Sequence, residues 1–447
     1  MIMENELFTR RALTRLLVPI VIEQVLAVSI GMADTIMVAS LGESAVSSVS
    51  LVDNINILLI QIFSALASGG AVIAAQYIGR GDQKNANSAA KQLMYSSFFI
   101  TLIITALSLI FNNQILSAIY QQIESDVMNN SMIYYYITAL SFPFLAIYNA
   151  CAGLFRAMGN SKVTMYISIL MNLLNISGNA ILLYGLHFGV EGAAIPTFLS
   201  RAVGAVIMLM LIRHKDNKIY IEKIFNPEID FKMIKRILKI GVPNGLENGM
   251  FQIGKLLVSG MIAALGTASI AANAVANSIT GIAMIPGSAI GVSMITVVGQ
   301  CVGAGEYDQA MKYTKRLMTI MFAAMGFLNV VLFLITPTFV TFYNLSDGAR
   351  TTTIEILRIY ALMAATVWPL SFGLPNALRA SGDAKFTMLT SIMSMWVFRI
   401  GFSYLLILFF DMGLHGVWIA MYIDWIVRAS ILTVRFLRGK WKSICVI

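Results

Sequence analysis

The amino-acid sequence predicts an all-α, polytopic membrane protein: twelve transmembrane helices in two pseudo-symmetric six-helix lobes around a central cavity. Three observations predict it. Hydrophobic residues make up 58% of the chain and charged residues only 12%, about half the charge of an ordinary soluble domain. Apolar runs long enough to cross about 30 Å of hydrocarbon recur along the whole chain, separated by polar turns. The second half of the chain also repeats the first.

In order, the apolar runs cover residues 16–40, 50–77, 92–112, 131–153, 163–185, 192–212, 238–262, 271–299, 316–337, 353–376, 386–410 and 414–435. The first ten residues, MIMENELFTR, lack the short apolar core and small-residue cleavage site of a signal peptide, so the first span is expected to stay in the mature protein. The longest polar stretch, RHKDNKIYIEKIFNPEIDFKMIKRILK at 213–239, separates the sixth run from the seventh. The expected organisation is an N-terminal six-helix lobe over 1–212 that holds an ion-coupling site, a cytoplasmic basic linker over 213–239, and a C-terminal six-helix lobe over 240–447.

Most of the 31 lysines and arginines lie on one side of this arrangement: at both ends of the chain, in the loops around Arg80 and Arg156, and in the linker. The opposite loops hold only Arg350 and Arg358. Basic loops stay in the cytoplasm, so both termini are expected there. The net charge of +9 is therefore read as a topology signal, with contact to anionic lipid and not to nucleic acid. Cys151, Cys301 and Cys445 are scattered, and His187, His214 and His415 fall in or beside loops. Neither set has metal-ligand or disulfide spacing, and no cofactor is expected. An enzyme would need clustered histidines, paired acids or a nucleophile with its base. None is visible, and the chain is expected not to be one.

The repeat is seen residue by residue. Pro19 matches Pro243, Glu23 matches Glu247 and Leu41-Gly42 matches Leu265-Gly266 at one constant offset. The loop QYIGRGDQKNA from Gln76 matches QCVGAGEYDQA from Gln300, and RAMGNSKVTM from Arg156 matches RASGDAKFTM from Arg379. Six spans per half give both halves the same orientation, which implies a pseudo-two-fold axis along the membrane normal. The GRGD and GAGE loops are read as glycine turns, because no strand precedes them and no Lys-Ser/Thr follows, as a phosphate loop requires.

Charges inside apolar spans are costly and mark functional or paired groups. Arg399 and Asp424 lie at similar depth in spans eleven and twelve and are expected to pair, with Arg428 one turn from Asp424. Glu23 and Glu247 are repeat equivalents, expected to share a structural task where the halves meet or to relay protons. Arg201 and Lys255 have no partner evident in sequence. Asp34 is different. It lies about 18 residues into an outward-running span, at the depth of Asn175 and Asn179, which share a face of span five, and of Thr197 in span six. Carboxylate, amide and hydroxyl oxygens suit a small cation or a proton relay. The repeat mates of Asp34, Thr197, Asn175 and Asn179 are Val258, Met421, Phe398 and Phe402. This polar set exists in the first half alone, which favours function over scaffold.

The Pro19-to-Asp34 spacing, DTIMVASLG from Asp34, the two glycine loops, LFRAMGN, ALRASGD and the NISGN of span five carry a resemblance. In this order and over nearly the whole chain, the sequence resembles bacterial members of the multidrug and toxic compound extrusion (MATE) family. The resemblance implies a cell-membrane antiporter, working as a monomer, that exports organic, mainly cationic compounds against inward flow of H+, with Na+ as the alternative. It implies coupling through Asp34, Asn175, Asn179 and Thr197, with any Na+ held by Asp34, Asn175 and Asn179. Sodium-coupled relatives with a second acidic cluster would place it where this chain has Phe251 and Trp368. A proton and a cationic substrate competing for Asp34 would give exchange, with Pro19 and Gly31 letting the first helix bend. The other reading left open is a flippase or exporter for a lipid-linked or metabolite substrate, which the basic residues Arg201, Lys255 and Arg399 would suit. The 27 methionines and abundant aromatic side chains suit a cavity for varied ligands.

Overall fold

A computed structural model describes residues 6–120, 124–222, 228–343, 345–444 and 446–447. Residues 223–227 of the linker and Cys445 lie outside the described residues. Among those described there are helices and no strands. This follows from the solvent, since in hydrocarbon a helix satisfies every backbone group within itself.

The chain divides into two compact units. One comprises Thr9–Gly245. Its helices are α1 (Arg10–Val38), α2 (Glu43–Arg80), α3 (Gln83–Ile110), the short α4 (Asn112–Ile119), α5 (Ser125–Leu140), α6 (Phe142–Ala157), α7 (Ser161–Asn179) and α8 (Glu191–Ile212). It also takes the first part of α9 (Phe231–Ala264). The other unit comprises Leu246–Ile447 together with the residues up to Phe8. It holds the rest of α9 and then α10 (Thr267–Ala283), α11 (Ile285–Gly303), α12 (Tyr307–Val340), α13 (Asp347–Thr366), α14 (Leu374–Ala380), α15 (Ala384–Ser394), α16 (Phe402–Leu408) and α17 (Gly413–Leu437).

Nine helical segments among the described residues are long and apolar enough to span a membrane, and two bent pairs raise this to 11. The pairs are α5–α6, broken by 44°, and α13–α14, broken by 57°. α9 stands in the seventh position as the twelfth segment. It carries Asn244, Glu247, Asn248, Gln252 and Lys255, and it is not among the helices apolar enough to be counted above. It also starts at Phe231, so the last residues of the stretch read from sequence as linker are its opening turns. These turns pack on α2: Asn244 Nδ2 donates to Ser68 Oγ at 2.6 Å and Arg236 Nη1 to Tyr77 Oη at 2.5 Å. A Cβ built on Gly69 would lie 2.7 Å from the Gly241 nitrogen, so the two backbones touch.

Side chains are distributed as lipid demands. Small residues such as Ala74, Ala75 and Ala90 are buried between helices, while Ile103, Ile110, Phe327 and Leu334 are exposed. Close backbone approach through small residues is how helices associate where the surroundings are as apolar as leucine.

The internal repeat is written in the backbone. Gly42 and Gly266 have φ of 100° and 94°, Gly81 and Gly305 77° and 78°, and Gly159 and Gly382 82° and 100°. Each ends a helix in a conformation that a Cβ disfavours, which is why the matching turns keep glycine. The buried ion pairs repeat as well. Arg156 Nη1 donates to Glu23 Oε1 at 2.9 Å, and Arg379 Nη2 donates to Glu247 Oε1 at 2.7 Å. Glu23 also accepts from Thr164 Oγ1 at 2.9 Å. Each glutamate thus finds its arginine inside its own unit.

Candidate functional site

The site is assembled by α1, α7 and α8 of the first unit. α7 runs helically to Asn179 and then loosens into a π-helical turn over Ala180–Gly185. Such turns leave the backbone ladder imperfect and recur at functional sites. Asn175 and Asn179, one turn apart, are both buried. α8 approaches because residue 178 is glycine: a Cβ there would meet Pro196 Cβ at 2.7 Å. That closeness brings Thr197 to Asn175.

The hydrogen bonds form a chain. Asn179 Nδ2 donates to Asp34 Oδ1 at 2.6 Å and lies 3.5 Å from Asn175 Oδ1. Asn175 Nδ2 donates to Thr197 Oγ1 at 3.0 Å, and Thr197 Oγ1 donates to the Ala193 carbonyl at 3.0 Å. The structure therefore brings Asp34, Asn175, Asn179 and Thr197 into one network. Asn179 turns its amide nitrogen towards the carboxylate, which leaves its Oδ1 buried without a hydrogen-bond partner. A buried acceptor beside a carboxylate is an arrangement that a cation completes.

Two further groups join the site, one of them, Asp53, not singled out from sequence. Asp53 of α2 and Arg201 of α8 both lie within electrostatic reach of Asp34, and Arg201 reaches both acids. Arg201 Nη1 donates to Ser141 Oγ at 2.7 Å, at the bend between α5 and α6. Asp53 is hard to find in the sequence because a second span beginning at residue 50 leaves it at the membrane edge. The helix starts at Glu43, which carries Asp53 almost three turns inside. With both carboxylates ionised, Asp34, Asp53 and Arg201 leave one negative charge over.

The second unit has no such set at the equivalent places. Asp424 there is completely buried, 3.4 Å from Arg399 Nε and 3.3 Å from Arg428 Nη2, and it accepts from Ser394 Oγ at 2.5 Å. Arg399 reaches it from a π-helical turn over Met395–Gly401. Phe251 and Trp368 stand in an aromatic cluster. Trp368 stacks on Phe372 with centroids 5.2 Å apart, and the Phe251 ring faces Lys255 at 5.3 Å and Arg399 at 5.2 Å.

The MatE family model matches residues 19–181 and again 243–405. The two matches begin at Pro19 and Pro243, the pair that the internal repeat aligns. An uncharacterized transporter, YisQ, of Bacillus subtilis (strain 168) is 28% identical over 95% of this chain and 93% of its own length. A probable multidrug resistance protein, NorM, of Thermotoga maritima is 26% identical over 97% of this chain and 93% of its own. A crystal structure of MATE in the bent conformation superposes with a TM-score of 0.90 at 21% identity, covering 97% of this chain and 96% of that one. A MOP superfamily transporter from Pyrococcus furiosus gives 0.89 at 22% identity, with 97% of both chains covered.

Proposed function

The chain belongs to the MatE family of membrane transporters, and from that premise we propose that it exports organic compounds from the cell in exchange for a cation that binds at Asp34. It is a multi-pass protein of the bacterial cell membrane and a transporter, not an enzyme. The coupling ion in this reading is the proton, both termini lie in the cytoplasm, and the monomer is the working unit.

One observation carries the proposal: a carboxylate on a membrane helix whose neighbours are amides and a hydroxyl, not a dedicated counter-charge. Asn179 donates to Asp34 at 2.6 Å, and the local excess of one negative charge matches one proton or one monovalent cation per cycle. A proton bound to Asp34 removes that charge. A cationic, amphipathic substrate neutralises the same carboxylate by pairing with it. The two exclude each other, and exclusion joined to alternating access yields exchange. Loss or gain of the charge also changes what the Asp34 side of α1 tolerates. Pro19, which removes one backbone hydrogen bond from that helix, gives it a place to bend.

Sodium coupling is the second reading, favoured by the unpartnered Asn179 Oδ1, which would add an oxygen ligand to those of Asp34. Uptake of a fluorescent organic cation into everted vesicles, where export is directed inward, separates the two. Collapse of the proton gradient should stop export while collapse of the sodium gradient leaves it running. The opposite pattern selects sodium, and export unaffected by either collapse refutes coupling.

A further inference from the structure

The second unit encloses a cavity of about 370 Å³, within the range of small-molecule sites. Its walls come from α9, α10, α13, α17, Trp368 and the turns at Pro369–Gly373 and Met395–Gly401. Two charged side chains line it, Lys255 and Arg399, and no carboxylate is among its lining residues. Behind the wall, Arg428 lies over Phe372 at 4.2 Å and over Phe251 at 5.8 Å. Asp424 is the acid at hand, and Arg399 and Arg428 already share it. Lys255 has no carboxylate partner among the described residues, and its ammonium rests over the Phe251 ring. The indole Nε1 groups of Trp368 and Trp425, both in the lining, are buried and without hydrogen-bond partners.

These features point one way. Three cations against one carboxylate make the local field positive, and low-dielectric aromatic walls preserve it. Cations are repelled from such a chamber. A carboxylate or sulfonate would give Lys255 and Arg399 the anionic partner that the cavity itself does not supply. Phe251, Tyr360, Trp368, Phe372, Trp418 and Trp425 offer flat faces on which a planar ring stacks.

We propose that this cavity is a binding site for flat aromatic organic anions, with Lys255 and Arg399 receiving the negative group and the aromatic wall receiving the ring. The site takes the substrate polarity opposite to that favoured at Asp34, and it rests on the transporter reading for its purpose. Its occupancy is independent of coupling and is measurable without a gradient.

The test is equilibrium dialysis of the detergent-purified full chain with 2-naphthoate and with 2-naphthylmethylammonium, which carry the same ring and opposite charges. The naphthoate is expected to bind at least tenfold more tightly than the amine. Lys255→Gln should weaken naphthoate binding at least tenfold, and Lys255→Arg should restore most of it. Gly281→Leu is a second probe, because Gly281 lines the cavity and a Cβ there meets nothing within 4 Å; it too should block binding. Equal or tighter binding of the amine overturns the proposal. So does naphthoate affinity that stays within twofold in both Lys255→Gln and Gly281→Leu. Failure of ion-coupled export leaves this result untouched and counts against the earlier reading alone.

Discussion

Removing one member of the duplicated ion pair separates scaffold from relay at Glu247. Its carboxylate and the Arg379 guanidinium meet at 2.7 Å, with side chains 8% and 13% exposed. In Glu247→Gln the guanidinium keeps Asn376 Oδ1 at 3.0 Å but loses its anion. Leaving one partner of a buried pair uncompensated costs about 3 to 5 kcal/mol. The residual exposure and the retained amide place this case near the lower end, about 3 kcal/mol. For a domain of about 200 residues each kcal/mol moves the melting temperature by roughly 2 to 4 °C, so a fall of roughly 6 to 12 °C is expected in detergent. The assay is thermal unfolding followed by tryptophan fluorescence, run beside dye efflux. Glu23→Gln, which leaves Thr164 and Arg156 facing an amide, should fall by a similar or smaller amount. The reversed pair Glu247→Arg with Arg379→Glu should recover part of the loss. An unchanged melting temperature combined with lost export would refute the structural role and make Glu247 a relay.

Other consequences can be measured with the same tools. Asn179→Ala removes the 2.6 Å bond to Asp34; hydrogen bonds to charged groups are worth about 1.5 to 3 kcal/mol, so the affinity for the coupling ion should shift by about one to two orders of magnitude with folding retained. Gly178→Val forces α8 off α7 at Pro196 and should lower stability by about 1 to 3 kcal/mol through overpacking, and coupled export should fall with it as Thr197 leaves Asn175. Gly69→Val drives a side chain into the Gly241 backbone and should reduce expression of folded protein more than any surface change in α2. Arg201→Gln leaves Asp34 and Asp53 without their shared guanidinium and should strengthen cation binding while slowing release, read as a lower half-saturation and a lower maximal rate.

The spans and the three polar residues around Asp34 were legible because each rests on a local rule. Apolar length marks a span, and residues one helical turn apart share a face, as Asn175 and Asn179 do. The pairing of Arg399 with Asp424 follows from depth, since two charges at one level in hydrocarbon seek each other. Other features needed the third dimension. Glu23 and Arg156 are 133 residues apart, and Glu247 and Arg379 132, and the repeat showed each residue duplicated without saying that they touch. Asp53 was hidden by a helix that begins outside the apolar core. The bends at α5–α6 and α13–α14 fall where Pro143 and Pro369 open the second segment of each pair, and hydropathy is blind to them although the prolines were in view. The cavity in the second unit is assembled from several helices and two π-helical turns, and no single stretch of sequence announces it.

The central claim is tested most directly by Asp34→Asn in proteoliposomes with an imposed pH gradient. The substitution keeps the side chain's size and removes its charge, so the protein should insert and unfold as the native chain does. Gradient-driven substrate movement is predicted to fall to the level of empty liposomes. Native-like accumulation driven by the pH gradient in that variant would contradict the account.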